Sequence, residues 1–238
     1  MMSAIPYIYE YIRCRGFAPL YVEQHLARLE ELSRRLFLSG CGIGREVLER
    51  KIEDALREGG YSERHTNAVL VRRYIDGGIE VECVDNFYDT FSLRAVRPQG
   101  YVCHLSGNAV LQPTSAKAAA LALHRATAEI SDEGVAVWLS DTGEVKAIDG
   151  GSVVVVFDDE IRFSQSGSGV EFELAYRAAQ GGRRRVCRGE ISHEDIARAK
   201  ELLYIDYRGI TALLVCEGRH YMDIVAEHIA RQVADRER

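Results

Sequence analysis

Lys117 stands in the run Pro113-Thr114-Ser115-Ala116-Lys117-Ala118-Ala119-Ala120-Leu121. An extended, Pro-containing approach ends at Thr114 or Ser115, either a good helix N-cap. The alanine-rich run that follows is strongly helix-forming. The lysine therefore falls in the first helical turn, where the helix dipole disfavours a cation. That environment favours the neutral amine, the form that condenses with a carbonyl. The bland alternative is a solvated lysine on an amphipathic helix. Arg72 and Arg73 are consecutive on a predicted strand, so one points to each face. Either can take a substrate carboxylate or serve as an edge-strand charge. Tyr11 and Tyr74 are candidate pocket or core aromatics. The seven histidines show no H-x-x-x-H metal spacing, and no metal site is expected. The run Ser192-His193-Glu194-Asp195 predicts a capping box.

Composition bounds the answer. The chain has 238 residues, enough for one large domain or two ordinary ones. With 47% apolar and 28% charged residues it is typical of a folded, water-exposed protein. The formal charge of -6 and the absence of a long basic run argue against nucleic acid as a partner. Arg183-Arg184-Arg185 is a short cluster in a Gly-flanked loop. No apolar stretch approaches the roughly 18 residues that span a bilayer, so no membrane partner is expected. The opening Met1-Met2-Ser3-Ala4-Ile5-Pro6 does not read as a signal peptide. The six cysteines form no C-x-x-C pair, which points to packed thiols and a cytoplasmic location.

The elements that must position these residues alternate along the chain. Strands are predicted at 7–13, 68–74, 79–84, 90–96, 101–105, 134–140, 145–148, 152–157, 161–163, 186–191, 202–206 and 212–217. Helices are predicted at 22–37, with Leu26, Leu29, Leu32 and Leu36 at helical spacing, and at 45–58. Others follow at Lys117, 170–180, 193–199 and 221–236. The polar stretch Ser106 to Thr114 is the best linker. The division is an N-terminal α/β domain at 1–105, a linker at 106–115 and a C-terminal domain at 116–238.

In this order the elements resemble the fold-type IV pyridoxal-phosphate enzymes, namely branched-chain and D-amino-acid aminotransferases and aminodeoxychorismate lyase. The matching residues are Tyr9-Glu10-Tyr11-Ile12-Arg13, His25-Leu26-Ala27-Arg28-Leu29, Lys117, and the stretch from Ile191 to Tyr221. The resemblance implies an α+β, two-domain fold like that of D-amino-acid aminotransferase. A small α/β N-terminal domain precedes a larger, barrel-like α/β C-terminal one, with the cofactor cleft between them in a homodimer. It implies Lys117 as the Schiff-base lysine, Arg28 on the cofactor phosphate, and an amino acid as substrate. Arg72, Arg73 and Tyr11 become substrate-binding candidates. Arg28 can instead be an exposed helix arginine paired with Glu31 or Glu23. The phosphate cup is expected at Ser168-Gly169-Val170 and at Gly209-Ile210.

The departures are specific. The family's G-x-V-x-E, whose glutamate keeps the pyridine nitrogen protonated, reads Gly143-Glu144-Val145-Lys146-Ala147. Asp149 or Glu144 are the neighbours that can substitute. Ser152 stands where an asparagine is expected. Glu171 and Asp206 place carboxylates beside the expected phosphate, where two like charges repel by about 1–4 kcal/mol at surface dielectric. The competing expectation is a degenerate homologue that keeps the fold and the dimer but not the cofactor.

Overall fold

The computed structural model of the chain describes residues 5–84, 91–104, 113–127, 130 and 134–237. Residues 106–112 of the expected linker lie outside the described residues. The chain divides into two compact units, Met1–Asp89 with Gln112–Ala118, and Thr90–Leu111 with Ala119–Arg238.

The first unit contains β1 (Tyr7–Arg15), β2 (Ala18–Pro19), α1 (Val22–Phe37), α2 (Arg45–Glu58), β3 (Thr66–Tyr74) and β4 (Ile79–Val84). The strands form an antiparallel sheet in the order β2-β1-β3-β4. Alternation along β1 buries Ile8, Ile12 and Cys14 against Leu29 and Leu32 of α1 and Leu48, Ile52 and Leu56 of α2. The β3–β4 hairpin turns as its Asp-Gly-Gly sequence requires. Gly77 takes φ +99°, and Asp76 Oδ1 accepts the Gly78 N–H at 2.9 Å.

The second unit contains β5 (Ser92–Leu93), β6 (Gln99–His104), most of α3 (Ser115–Thr127), β7 (Gly134–Leu139), β8 (Val145–Ile148), β9 (Ser152–Val156) and β10 (Glu160–Ser164). It continues with α4 (Val170–Ala179), β11 (Arg185–Gly189), α5 (His193–Arg198), β12 (Glu201–Asp206), β13 (Gly209–Ala212), β14 (Val215–Cys216), β15 (Arg219–His220) and α6 (Ile224–Glu237). Two sheets run β11-β10-β9-β12-β13-β5 and β15-β14-β6-β7-β8. Strands β5 and β6, read from the sequence as part of the N-terminal domain, pair in parallel with β13 and β7 and so fall in this unit. The four valines of β9 explain its unbroken apolar run. Val154 and Val156 enter one core with Phe163, Phe172 and Ala226, while Val153 and Val155 enter another with Val135, Val137 and Leu202.

Two sequence expectations are corrected here. The strand expected at 212–217 is two strands in two sheets. The Leu213 N–H bonds the Leu202 carbonyl at 2.9 Å and the Leu214 N–H bonds the Pro98 carbonyl at 2.9 Å, so the chain changes sheets between them. The closing helix begins at Ile224, not Tyr221. Tyr221 is buried and donates its hydroxyl to the Ile196 carbonyl at 3.1 Å. The helix start is set by Glu201, 1% exposed, which accepts the Val225 and Ala226 N–H groups at 2.8 and 3.0 Å. The capping box at Ser192 and Asp195 forms as expected.

Glu201→Ala leaves two amides of α6 without their acceptor and is expected to destabilise the fold by about 2–4 kcal/mol. Urea unfolding checks this as a lower midpoint at unchanged slope.

Candidate functional site

The first unit assembles the lysine and the arginine. The segment 113–115 is stitched to the free edge of β1. The Tyr9 N–H bonds the Pro113 carbonyl at 2.9 Å, Ile8 bridges Thr114, and the Tyr7 N–H reaches Ser115 Oγ at 3.4 Å. Thr114 is the cap, since its Oγ1 accepts the Lys117 N–H at 3.2 Å. Lys117 is half-buried on the first turn of α3. Burial, then the charge of Arg28, brings its ammonium down from 10.5 to about 8.

Arg28 rises from α1 one turn after His25, so both sit on one helix face. Its partner is neither Glu31 nor Glu23. Those carboxylates pair with Arg35 and Arg45. The Arg28 Nε donates to Glu10 Oε1 at 3.0 Å, and Glu10 Oε2 faces His25 Nδ1 at 3.1 Å. Glu10 and His25 are buried, and Arg28 is partly exposed.

Arg72 and Arg73 diverge as the strand period requires. Arg72 lies opposite Tyr9 across the ladder, on the face away from Ile8. It pairs with Glu80 at 3.2 Å and Glu82 at 2.5 Å, and its guanidinium sits 5.6 Å from the Tyr7 ring centre. Tyr11 shares that face by alternation and meets Tyr9 edge-on at 5.8 Å. Burial and the neighbouring tyrosines push the Tyr9 hydroxyl above its usual range. Arg73 is buried on the other face, where Nε and Nη2 donate to the Cys41 and Gly40 carbonyls at 3.0 Å each. Its guanidinium is thereby committed to the loop between α1 and α2.

In the second unit, Ser168, Gly169 and Val170 lead into α4. Ser152 Oγ accepts the Ser168 N–H and donates to the Ser168 carbonyl, both at 3.0 Å. Gly169 takes φ +131°. Glu171 is buried in the first turn, where the dipole accommodates a carboxylate. Asp206 is not left as a bare charge. Its Oδ2 accepts Arg208 Nε at 3.0 Å and its Oδ1 accepts the Arg208 N–H at 2.8 Å. Gly209 takes φ +122°, and a Cβ there would collide with the Ser92 carbonyl, so only glycine lets β13 approach β5. Ile210 is buried beside it. Ala147 is packed with Trp138 and Ala136 against Leu121. The Asp149 carboxylate takes the Ala136 N–H at 3.3 Å, and Glu144 pairs with Lys146.

No family model matches the sequence, and no curated protein matches it. Solved structures do match in shape. A fold IV transaminase from Curtobacterium pusillum aligns with a TM-score of 0.77 at 15% identity, over 97% of this chain and 85% of that one. A hypothetical aminotransferase from Mycobacterium tuberculosis, bound to alpha-ketoglutarate and PMP, aligns at 0.75 with 15% identity, over 99% and 94%. A Legionella pneumophila structure provisionally named a 4-amino-4-deoxychorismate lyase aligns at 0.75 with 10% identity, over 95% and 91%.

The chain has the fold of the fold-type IV aminotransferases.

Within that fold, sequence reasoning missed three functional candidates. Glu10 was readable as a carboxylate on the inward side of β1, between Ile8 and Ile12. Arg208 was readable two residues after Asp206. Ser152 was read only as a departure from an expected asparagine; its bond to Ser168 gave no signal, because that partner is sixteen residues away in a loop.

Reductive modification of Lys117 by a small aldehyde is expected to rise with pH through about 8, well below the ordinary lysine range near ~10.4. In Arg28→Ala the same titration moves upward, because a cation that disfavours the ammonium is gone. Peptide mass spectrometry across a pH series reads both.

Proposed function

We propose that the chain is a pyridoxal-phosphate-dependent enzyme acting on an amino acid, as a transaminase or an aminodeoxychorismate-lyase-type enzyme. The observation that carries the reading is the Lys117 amine, lowered to about 8 and set beside Arg28. The donor chemistry fits the group. Arg28 spends only Nε on a described partner, which leaves its terminal nitrogens for a phosphate. A lysine poised near neutral pH suits an aldehyde.

Bound there, the cofactor supplies an aldehyde for covalent attachment and a ring that draws electrons from the substrate α-carbon. Lys117 Nζ would be the amine that holds the group through its aldehyde and, when not so engaged, the base that takes and returns the substrate α-proton. Arg28 would hold the phosphate. Arg72, with Tyr11 beside it, takes the substrate carboxylate by exchanging its pairs with Glu80 and Glu82. Arg73 leaves the proposal because it is buried and its Nε and Nη2 hold backbone carbonyls. Ala147 supplies no carboxylate for the ring nitrogen, so turnover is expected to be modest. The same reading carries a homodimer working in the cytoplasm. Among the described residues no helix is long and apolar enough to cross a membrane.

Purified protein given pyridoxal 5′-phosphate is expected to gain visible absorbance, and borohydride to fix the cofactor on Lys117. Lys117→Ala abolishes both. A chain that stays colourless overturns the reading. One that colours but never exchanges or eliminates an amino group is a binding protein.

A further inference from the structure

Glu10 puts a carboxylate where the strand period calls for an apolar side chain. It lies between Ile8 and Ile12 on the packed face of β1 and is 6% exposed. Burying a carboxylate is costly unless every oxygen is engaged. Both are, one by Arg28 Nε and one by His25 Nδ1. His25 is 1% exposed, and its Nε2 has no hydrogen-bond partner among the described residues. With the proton on Nδ1, His25 donates to Glu10 and leaves only a lone pair unmet. The helix does not need this pair for its attachment, since Leu29 and Leu32 already bury its apolar face.

The consequence falls on Arg28. Its Nε is pinned, and among the described residues Nη1 and Nη2 bond nothing. A guanidinium held at one nitrogen, with its fork empty, has lost its rotamer freedom before any ligand arrives. We propose that Glu10, braced by His25, is a positioning residue that fixes the Arg28 fork to receive a phosphate monoester beside Lys117. The inference rests on the reading of this site as a pyridoxal-phosphate site and adds what orients its phosphate ligand.

The test is the phosphate preference of the full chain, taken as the ratio of dissociation constants for pyridoxal and pyridoxal 5′-phosphate in absorbance titrations. Glu10→Leu fills the apolar face and pins nothing. It is expected to lower the preference about fivefold to tenfold, with pyridoxal affinity unchanged. The sign is diagnostic. If Glu10 acts only through its charge, removing that charge raises the preference, and a rise or no change overturns the proposal. Arg28→Lys, at a partly exposed position that tolerates it, keeps the cation but cannot satisfy Glu10 and a forked ligand together. It is expected to lose the preference by a similar factor, and full retention overturns the proposal even if Glu10→Leu does not fold. A wild-type chain that binds both compounds equally overturns the site reading and this inference together. A wild-type preference that survives both substitutions overturns this inference alone.

Discussion

Two cations are held together near the start of one helix, and the arrangement depends on what prevents them from separating. The charge of Arg28 disfavours the Lys117 ammonium, second only to the effect of burial. An unconstrained lysine would swing away. Lys117 is fixed because its helix begins where 113–115 is bonded to the edge of β1, more than a hundred residues earlier in the chain. Arg28 is fixed because Glu10, on the same strand, holds its Nε. A single strand thus anchors both charges. The amine becomes more acidic instead of moving: burial, then the charge of Arg28, bring it from 10.5 to about 8, which removes about 3 kcal/mol of the ordinary preference for the charged form.

The second unit handles its charges differently. The carboxylates that looked hostile to an anion are neutralised locally. Asp206 is bound by Arg208, two residues on, and Glu171 lies in the first turn of α4, where the dipole favours it. The loop before α4 is tied at Ser168 by one hydroxyl from Ser152. Where the family resemblance places a glutamate, Ala147 and Trp138 make an apolar contact, and the indole N–H is spent on the Asp149 carbonyl at 2.9 Å. At Asp206 and Glu171 the compensation comes from within two residues or from the helix itself.

This difference explains what the sequence could disclose. Features set by neighbours in the chain were legible. They include the Thr114 cap, the Ser192–Asp195 box, the Asp-Gly-Gly hairpin and the divergence of Arg72 and Arg73. Features set by distant partners were not. Nothing local says that Arg28 finds Glu10 eighteen residues back instead of Glu31 or Glu23. Nothing local says that α6 starts at Ile224 because Glu201, twenty-four residues earlier, takes its first amides. The switch of sheets at Leu213 and Leu214 likewise depends on the Leu202 and Pro98 carbonyls. Periodicity reports which face is buried, and it is silent about which acceptor waits there.

Arg73 and Arg28 show how a structural arginine differs from a receptive one within a single unit. Arg73 is buried, and it spends Nε and Nη2 on carbonyls of its own chain, with only Nη1 unpartnered among the described residues. Those bonds close the loop between α1 and α2, and an incoming anion would have to break them. Arg28 is attached through Nε alone, to a carboxylate that is itself braced, and its side chain is partly exposed. Folding stability selects for the first pattern, because each satisfied donor lowers the desolvation cost of the charge. It gives no reason for the second. Glu10 would serve the core better as isoleucine, and α1 would be attached as well without the ion pair. A buried carboxylate whose effect is to hold an arginine half-satisfied makes physical sense when something else completes the arginine's bonding. The neighbouring lysine, its ammonium brought down to about 8, favours a ligand that carries an anion and reacts with an amine.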